Sequence, residues 1–331
     1  MADVLTLVDW AKRLDPDGKT SEIVEMLGQT NKILDDMLWR EGNLPTGHLT
    51  TVRTGLPSVA WRLLNNGVAS SKSTTAQITE GIGILEAWSE VDKDLATLNG
   101  NVSSFRLSES SAFIEAMNQE MASTLFYGNA SVSPEEFTGL SIRYSSTSAT
   151  NGQNVILGGS AGGQTDNASM WLVGWGGETI TGIFPKGSMA GLFHEDLGLQ
   201  TVTVDDGVGG AKMRAYQDHW QWKAGVALKD WRYVVRAPNI DISNLIAKSS
   251  AADLFDIMIK MIHRLPNIGL VKPVFYMNRT LFEMLDIQKR DDALSGAHLT
   301  WEEIDGKPVS MFRRIPVQIC DALLESETRV T

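Results

Sequence analysis

The sequence predicts an α+β fold. Two observations carry that reading. Helical and extended segments come in runs instead of strict alternation, and the texture of the chain changes near residue 154, from helix-rich to strand-rich, with no internal repeat and no heptad pattern. The 331 residues allow one large domain or two of medium size, with room for a real core. No run of about 18 apolar residues occurs, so a helical membrane span is excluded. The opening MADVLTLVDWAKRLDPDGK lacks the basic start and continuous apolar core of a secretory signal.

Residues 3–41 read as short helices broken at the turn-forming run Asp15-Pro16-Asp17-Gly18. Glu22–Leu27 and Lys32–Arg40 place Ile23, Met26, Leu27, Ile33, Leu34, Met37 and Leu38 at helical spacing. Helices this short must dock on something to persist. From Leu44 to Ile78 the chain is rich in Thr, Ser, Gly and Pro, with extended pieces at His48–Arg53 and Thr74–Ile78. It is too polar for a core of its own and too long for a plain connection, so it reads as a binding loop or a ribbon leaning on a partner.

A segment Ile84–Leu98 precedes the clearest helix, Ser104–Tyr127. There Phe113, Ile114, Met117, Met121, Leu125 and Phe126 recur at three- and four-residue spacing, with polar side chains on the other faces. Gly128 and Asn129 suit a left-handed cap at its end, and Pro134 suits the first position of a short helical turn in Ser133–Phe137. After Asn154, strands are expected at Val155–Leu157, Met170–Trp175, Thr179–Phe184, Thr201–Val204, Lys212–Trp222 and Val226–Arg236, with a loop at Asp205–Gly210. An amphipathic helix at Asp253–Leu265, a strand at Val274–Met277 and a helix Thr280–Lys289 capped by Asn278 follow. A turn at Asp305-Gly306 and strands at Val309–Phe312 and Ile315–Cys320 close the chain.

Composition narrows function. The net charge of −11 and pI near 5.0, without a large Lys/Arg cluster, argue against gripping nucleic acid as the main task, though a surface that repels phosphate can still enclose it. One cysteine, Cys320, cannot form an internal disulfide, which fits a reducing cytoplasm, and it reads as a small buried hydrophobe. The strongest enzyme signal is Gly158-Gly159-Ser160-Ala161-Gly162, a literal G-x-S-x-G after the expected strand at Val155. A serine nucleophile needs a helix directly after that turn. Here further Gly and polar residues follow, and no oxyanion segment precedes, although His194, His219, His263 and His298 lie downstream.

Gly18-Lys19-Thr20 fails as a phosphate loop because Arg13 stands where the first glycine belongs. No two His residues have metal-ligand spacing, and Glu195-Asp196 and Asp205-Asp206 lack a calcium-loop pattern. Trp220 and Trp222 share a strand face, and with Trp231 they could stack on bases or sugars, but without basic residues beside them core or interface packing is the favoured reading. No catalytic, cofactor or metal residue is therefore assigned.

The ordered set RTGLPSVAWRLLNNGV, EAWSEVDKDLA, FYGN, GIFPKGSMAGL, DWRYVVRAPNID and GKPVSMFRRIPVQICDALLESE resembles the major capsid proteins of tailed bacteriophages, of the short-tailed kind, over nearly the whole chain. The resemblance implies the capsid fold of the Hong Kong phage head. On that template residues 1–44 are an N-terminal arm, 45–80 an extension loop, and 81–150 a peripheral domain with its spine helix at 104–127. Residues 151–331 are then an axial domain plus the remaining peripheral strands, and 199–236 is a possible second extended ribbon. The implied function is self-assembly into hexamers and pentamers of an icosahedral shell around double-stranded DNA. Scaffolding protein, portal and perhaps a cement protein are the implied partners, in a virion assembled in the host cytoplasm. No crosslinking Lys and Asn pair is identifiable, so none is expected. Removal of residues 1–40 is expected to leave a soluble subunit unable to close shells. The rival readings are a serine hydrolase using Ser160 and another phage structural protein, such as a tail or portal component.

Overall fold

Nine consecutive residues without solvent exposure, Asn167–Trp175, form the strand on which the molecule is built. A strand points successive side chains to opposite faces, so full burial requires cover on both sides. Met170 and Leu172 point into one apolar cluster, and Trp171, Val173 and Trp175 into another. The computed structural model describes residues 28–98, 102–159, 165–204, 210–249, 251–291, 299–304 and 307–331.

In chain order the helices are α1 (Ile33–Asp36), α2 (Lys93–Thr97), α3 (Val102–Tyr127), α4 (Leu140–Arg143), α5 (Ile242–Ala247), α6 (Leu254–Ile262) and α7 (Arg279–Asp291). The strands are β1 (Trp39–Glu41), β2 (Gly47–Gly55), β3 (Thr74–Gly81), β4 (Gly83–Asp92), β5 (Asn167–Trp175), β6 (Ile180–Phe184), β7 (Leu192–Val204), β8 (Ala211–Leu228), β9 (Val234–Asp241), β10 (Lys272–Met277), β11 (Leu299–Ile304), β12 (Lys307–Phe312) and β13 (Ile315–Ile319).

Strand β5 pairs antiparallel with β10 along one edge and with β9 along the other. Beyond β10 the sheet runs through β13, β12 and β11, and β6 leads on to β8 and β4. Helices α5, α6 and α7 cover one face through Leu245, Met258, Met261, Leu281 and Leu285. The other face is covered by the C-terminal half of α3, with Met121, Ala122, Leu125 and Phe126, together with Leu140, Tyr144 and Ile33. Each large apolar side chain buried in these layers stabilises the fold by about 1.5–3 kcal/mol. Among the described residues no helix is long and apolar enough to cross a membrane.

Strand β8 is the longest, 18 residues. Its last residues pair with β6 in the central sheet, while its earlier part leaves as a three-stranded ribbon between β4 and β7. The N-terminal half of α3 lies against this ribbon. Phe105 packs with Val91, Ala96 and Tyr216, and Phe113 stacks on Trp220 with ring centroids 5.1 Å apart.

Several sequence expectations change here. The helix expected at Lys32–Arg40 stops at Asp36, because Met37 turns extended and Trp39–Glu41 pairs parallel with Gly182–Phe184. An open edge of β6 outweighs the local helical pattern. Ile33 is fully buried and Met37 nearly so, which makes removal of residues 1–40 a change to the core itself. The left-handed cap at Gly128 or Asn129 is absent, since neither residue has positive φ. Glycine is needed at 128 for close approach instead: a Cβ there would lie 2.5 Å from the Phe137 carbonyl oxygen. Ser133–Phe137 is a turn closed by the Glu136 N–H on the Ser133 carbonyl and not helix. Val155 makes only an isolated bridge to Arg236, and Val226–Arg236 is split by a 3-10 turn at Trp231–Tyr233. The expected features at Glu22–Leu27, Ser160–Gly162, Asp205–Gly209, His298 and Asp305-Gly306 lie outside the described residues.

Candidate interaction surface

Strands β2 and β3 form a two-stranded hairpin apart from the main sheet, in register from Gly47 opposite Gly81 to Gly55 opposite Thr74. At roughly 3.3 Å per residue, β2 carries the hairpin tip about 30 Å from its base. The base is tightly fixed. Arg143 donates two parallel hydrogen bonds, both 2.6 Å, to the buried Glu80 carboxylate, and a third to the Thr138 carbonyl. The Asn43 side chain accepts from the Leu49 N–H and donates to the Leu49 carbonyl. A Cβ at Gly225 would stand 2.5 Å from the Gly81 carbonyl oxygen, so β8 presses directly on the hairpin's exit. Burial, with Lys229 and Arg40 nearby, lowers the His48 pKa and favours its neutral form.

The tip, residues 56–73, is the opposite. Val59 is 91% exposed, Trp61 104% and Leu64 90%, and Leu56, Leu63 and Val68 are exposed as well. A set of apolar side chains this contiguous marks an interaction surface. Its charge is also unusual. No Asp or Glu occurs between Glu41 and Glu80, whereas Arg53, Arg62 and Lys72 do, in a chain of net charge −11. The acid-free stretch is readable in the sequence, but the Ser/Thr/Gly texture hid it behind a generic loop assignment.

Close to the hairpin's base, a cavity of about 150 Å³ opens between the start of β4, the second half of α3 and residues 135–137. Leu85, Met121 and Phe137 line it, Ile84 stands exposed beside them, and Glu120, Glu135 and Glu136 bring three carboxylates.

A polar latch ties α3 to the ribbon. Arg106 donates from Nη2 to buried Asp218 at 2.8 Å and to Asp196 at 2.6 Å, and from Nε to the other Asp218 oxygen at 3.3 Å. The His194 ring nitrogen Nε2 meets Asp218 at 3.0 Å, and its ring stacks on Trp220. The Arg106 guanidinium holds the Asp196 carboxyl below its usual pKa. Asp196 thus belongs to an ion cluster and not to a solvated acidic turn.

The other flagged residues separate. Trp220 is buried between Phe113 and His194, and Trp222 is partly buried beside Trp39, so both pack instead of offering a stacking platform. Cys320 is fully buried against Asn31, and burial pushes its thiol up to about 12. Gly159 has φ +85°, and the chain beyond residue 164 enters β5 and not a helix. His194 is engaged by Asp218, and His219 stacks on Trp88. Among the described residues no group of three His, Cys, Asp or Glu side chains is placed to hold a metal.

A family model described as major capsid protein GP7 matches residues 15–331. A chain in the near-atomic-resolution structure of bacteriophage Epsilon15 is 31% identical, with a TM-score of 0.79, and the match covers 100% of this chain and 99% of that one. The encapsulin of the holo-SrpI complex from Synechococcus elongatus PCC 7942 is 11% identical, at a TM-score of 0.46, over 72% of this chain and 97% of its own. The capsid of the native GTA particle is 11% identical, at a TM-score of 0.44, over 68% of this chain and 95% of its own. No curated protein sequence matches.

Proposed function

Since the chain belongs to the major capsid protein GP7 family, has the Hong Kong phage-like capsid fold and serves as a capsid shell protein, we propose that its copies join as hexamers and pentamers through the 45–80 extension loop and the 1–44 arm. The observation that carries this reading is the hairpin Gly47–Gly81, rigid at its base and apolar at its tip. Such a tip is stable in water only when another surface covers it. Each contact of this kind is weak alone, and a closed shell multiplies it.

The arm is rooted in its own subunit by Ile33, Met37 and β1, and its first residues are those free to reach a neighbour. Residues 81–150 act as the peripheral domain, and 151–331 supply the axial domain and the remaining peripheral strands, with the β7–β8 ribbon as a second extended element. The shell encloses double-stranded DNA without reading its sequence, as its negative charge favours, and is assembled in the host cytoplasm with scaffolding and portal proteins. A separate cement protein takes the place of covalent crosslinks. The chain performs no catalysis.

Negative-stain microscopy of the expressed full-length chain tests this reading. Closed shells or capsomers are expected; tubes, twelve-fold rings or a persistent monomer would overturn it. Deletion of residues 1–27, which spares Ile33, is expected to leave a soluble subunit that no longer closes shells. Esterase activity lost in Ser160→Ala would overturn the non-enzymatic reading.

A further inference from the structure

We propose that the acidic apolar cavity beside β4 is the receptor for the hairpin tip of a second copy of this chain, with Trp61 seated in the cavity and Arg62 facing its carboxylates. The inference rests on the assembly reading above and adds the partner surface to it.

Size is the first argument. A cavity of about 150 Å³ with apolar walls takes one benzene-sized ring, and Trp61 is the aromatic side chain that the tip leaves wholly exposed. Charge is the second. The tip carries cations and no acid, and the cavity carries Glu120, Glu135 and Glu136 around an apolar floor. Opposite potentials of this kind set register and suppress wrong partners. Trp and Arg are also the residue types that most often anchor protein interfaces.

Reach decides which copy supplies the tip. The cavity borders Gly83, two positions beyond the last hairpin residue, Gly81. The subunit's own tip is held about 30 Å away by its paired strands, and Arg143 and Gly225 fix the base from which they leave. The occupant must therefore come from another subunit. Tip and cavity are different patches of one chain, so the contact is head-to-tail, and head-to-tail contacts close into rings when the rotation allows.

A cysteine pair tests the contact in the full chain. Cys320 is buried and does not compete. In Ala60→Cys/Ile84→Cys, particles or capsomers exposed to mild oxidant are expected to give a ladder of linked chains in steps of 36.2 kDa. Shells that form but stay unlinked, or a disulfide confined to one chain, would overturn the docking while leaving the assembly reading intact. A chain that never leaves the monomer would overturn both. Charge reversal gives the second arm. Glu120→Lys/Glu135→Lys/Glu136→Lys is expected to reduce assembly about tenfold or more, and adding Arg53→Glu/Arg62→Glu/Lys72→Glu is expected to restore it. Loss without rescue, or tip binding by a different protein in the particle, counts against the proposal.

Discussion

Cys320 sits at a junction that burial alone explains. Its thiol points into the second core cluster, and its folded pKa rises from 9.0 to about 12 because ionisation there is not solvated. In the unfolded chain the thiol ionises near its ordinary value, so the neutral folded form is fully favourable below pH 9 and loses ground as pH rises towards 12. At pH 10 that amounts to about 1.4 kcal/mol. Thermal melts at pH 8 and pH 10 should show the wild type losing more stability than Cys320→Ala, and thiol reagents should label Cys320 only on unfolding. Buried cysteine is a good guess from any sequence, and this one was legible. The pair Arg236 and Glu327 was not, because its partners lie 91 residues apart. Arg236 donates to Glu327 at 2.8 Å, lies over the Trp171 ring, and also donates to Ser169 and the Tyr144 carbonyl. Tyr127 completes the cluster by donating to Glu327 at 2.5 Å. Glu327→Ala would leave a buried guanidinium uncompensated, at a cost of about 3–5 kcal/mol. A denaturation midpoint unchanged in that variant would contradict the role assigned to the pair.

Among the elements, α3 was the most legible, because a 26-residue helix repeats its three- and four-residue pattern often enough to be read without tertiary help. What it packs against was hidden. Its second half is covered by the central sheet, whereas its first half depends on Arg106, Phe105 and Phe113 meeting a ribbon whose strands lie on both sides of it in sequence. Hydrogen exchange should reflect this division. In Arg106→Met, amides of residues 102–113 are expected to exchange faster while those of residues 117–127 keep their protection. Uniform loosening along the helix would show that the latch does not act locally. The ribbon follows the same lesson. Alternation along Leu199–Arg236 announced strands, but only pairing reveals that β8 serves two sheets in turn, leaving the central sheet once β6 is passed. Likewise the Lys32–Arg40 pattern promised a helix, and an unfilled strand edge claimed its second half.

At the scale of the whole molecule, the chain keeps its stabilising contacts and its associating contacts in different places. The two core clusters contain no residue of the hairpin tip, and the tip contains no buried residue. Stability and assembly should therefore be separable by mutation. Replacing residues 57–72 with an Asn-Gly turn removes exposed apolar surface and keeps the β2–β3 pairing. Loss of surface residues that touch nothing normally changes stability by within about 0.5 kcal/mol, so the variant should unfold at nearly the wild-type denaturant midpoint. Its subunits should nonetheless remain unassembled at concentrations where the wild type forms capsomers, as sedimentation velocity would report. Normal shells from the shortened hairpin would mean that the tip's exposed surface is covered by something other than a sister subunit, and that the shell is held by the arm and the ribbon alone.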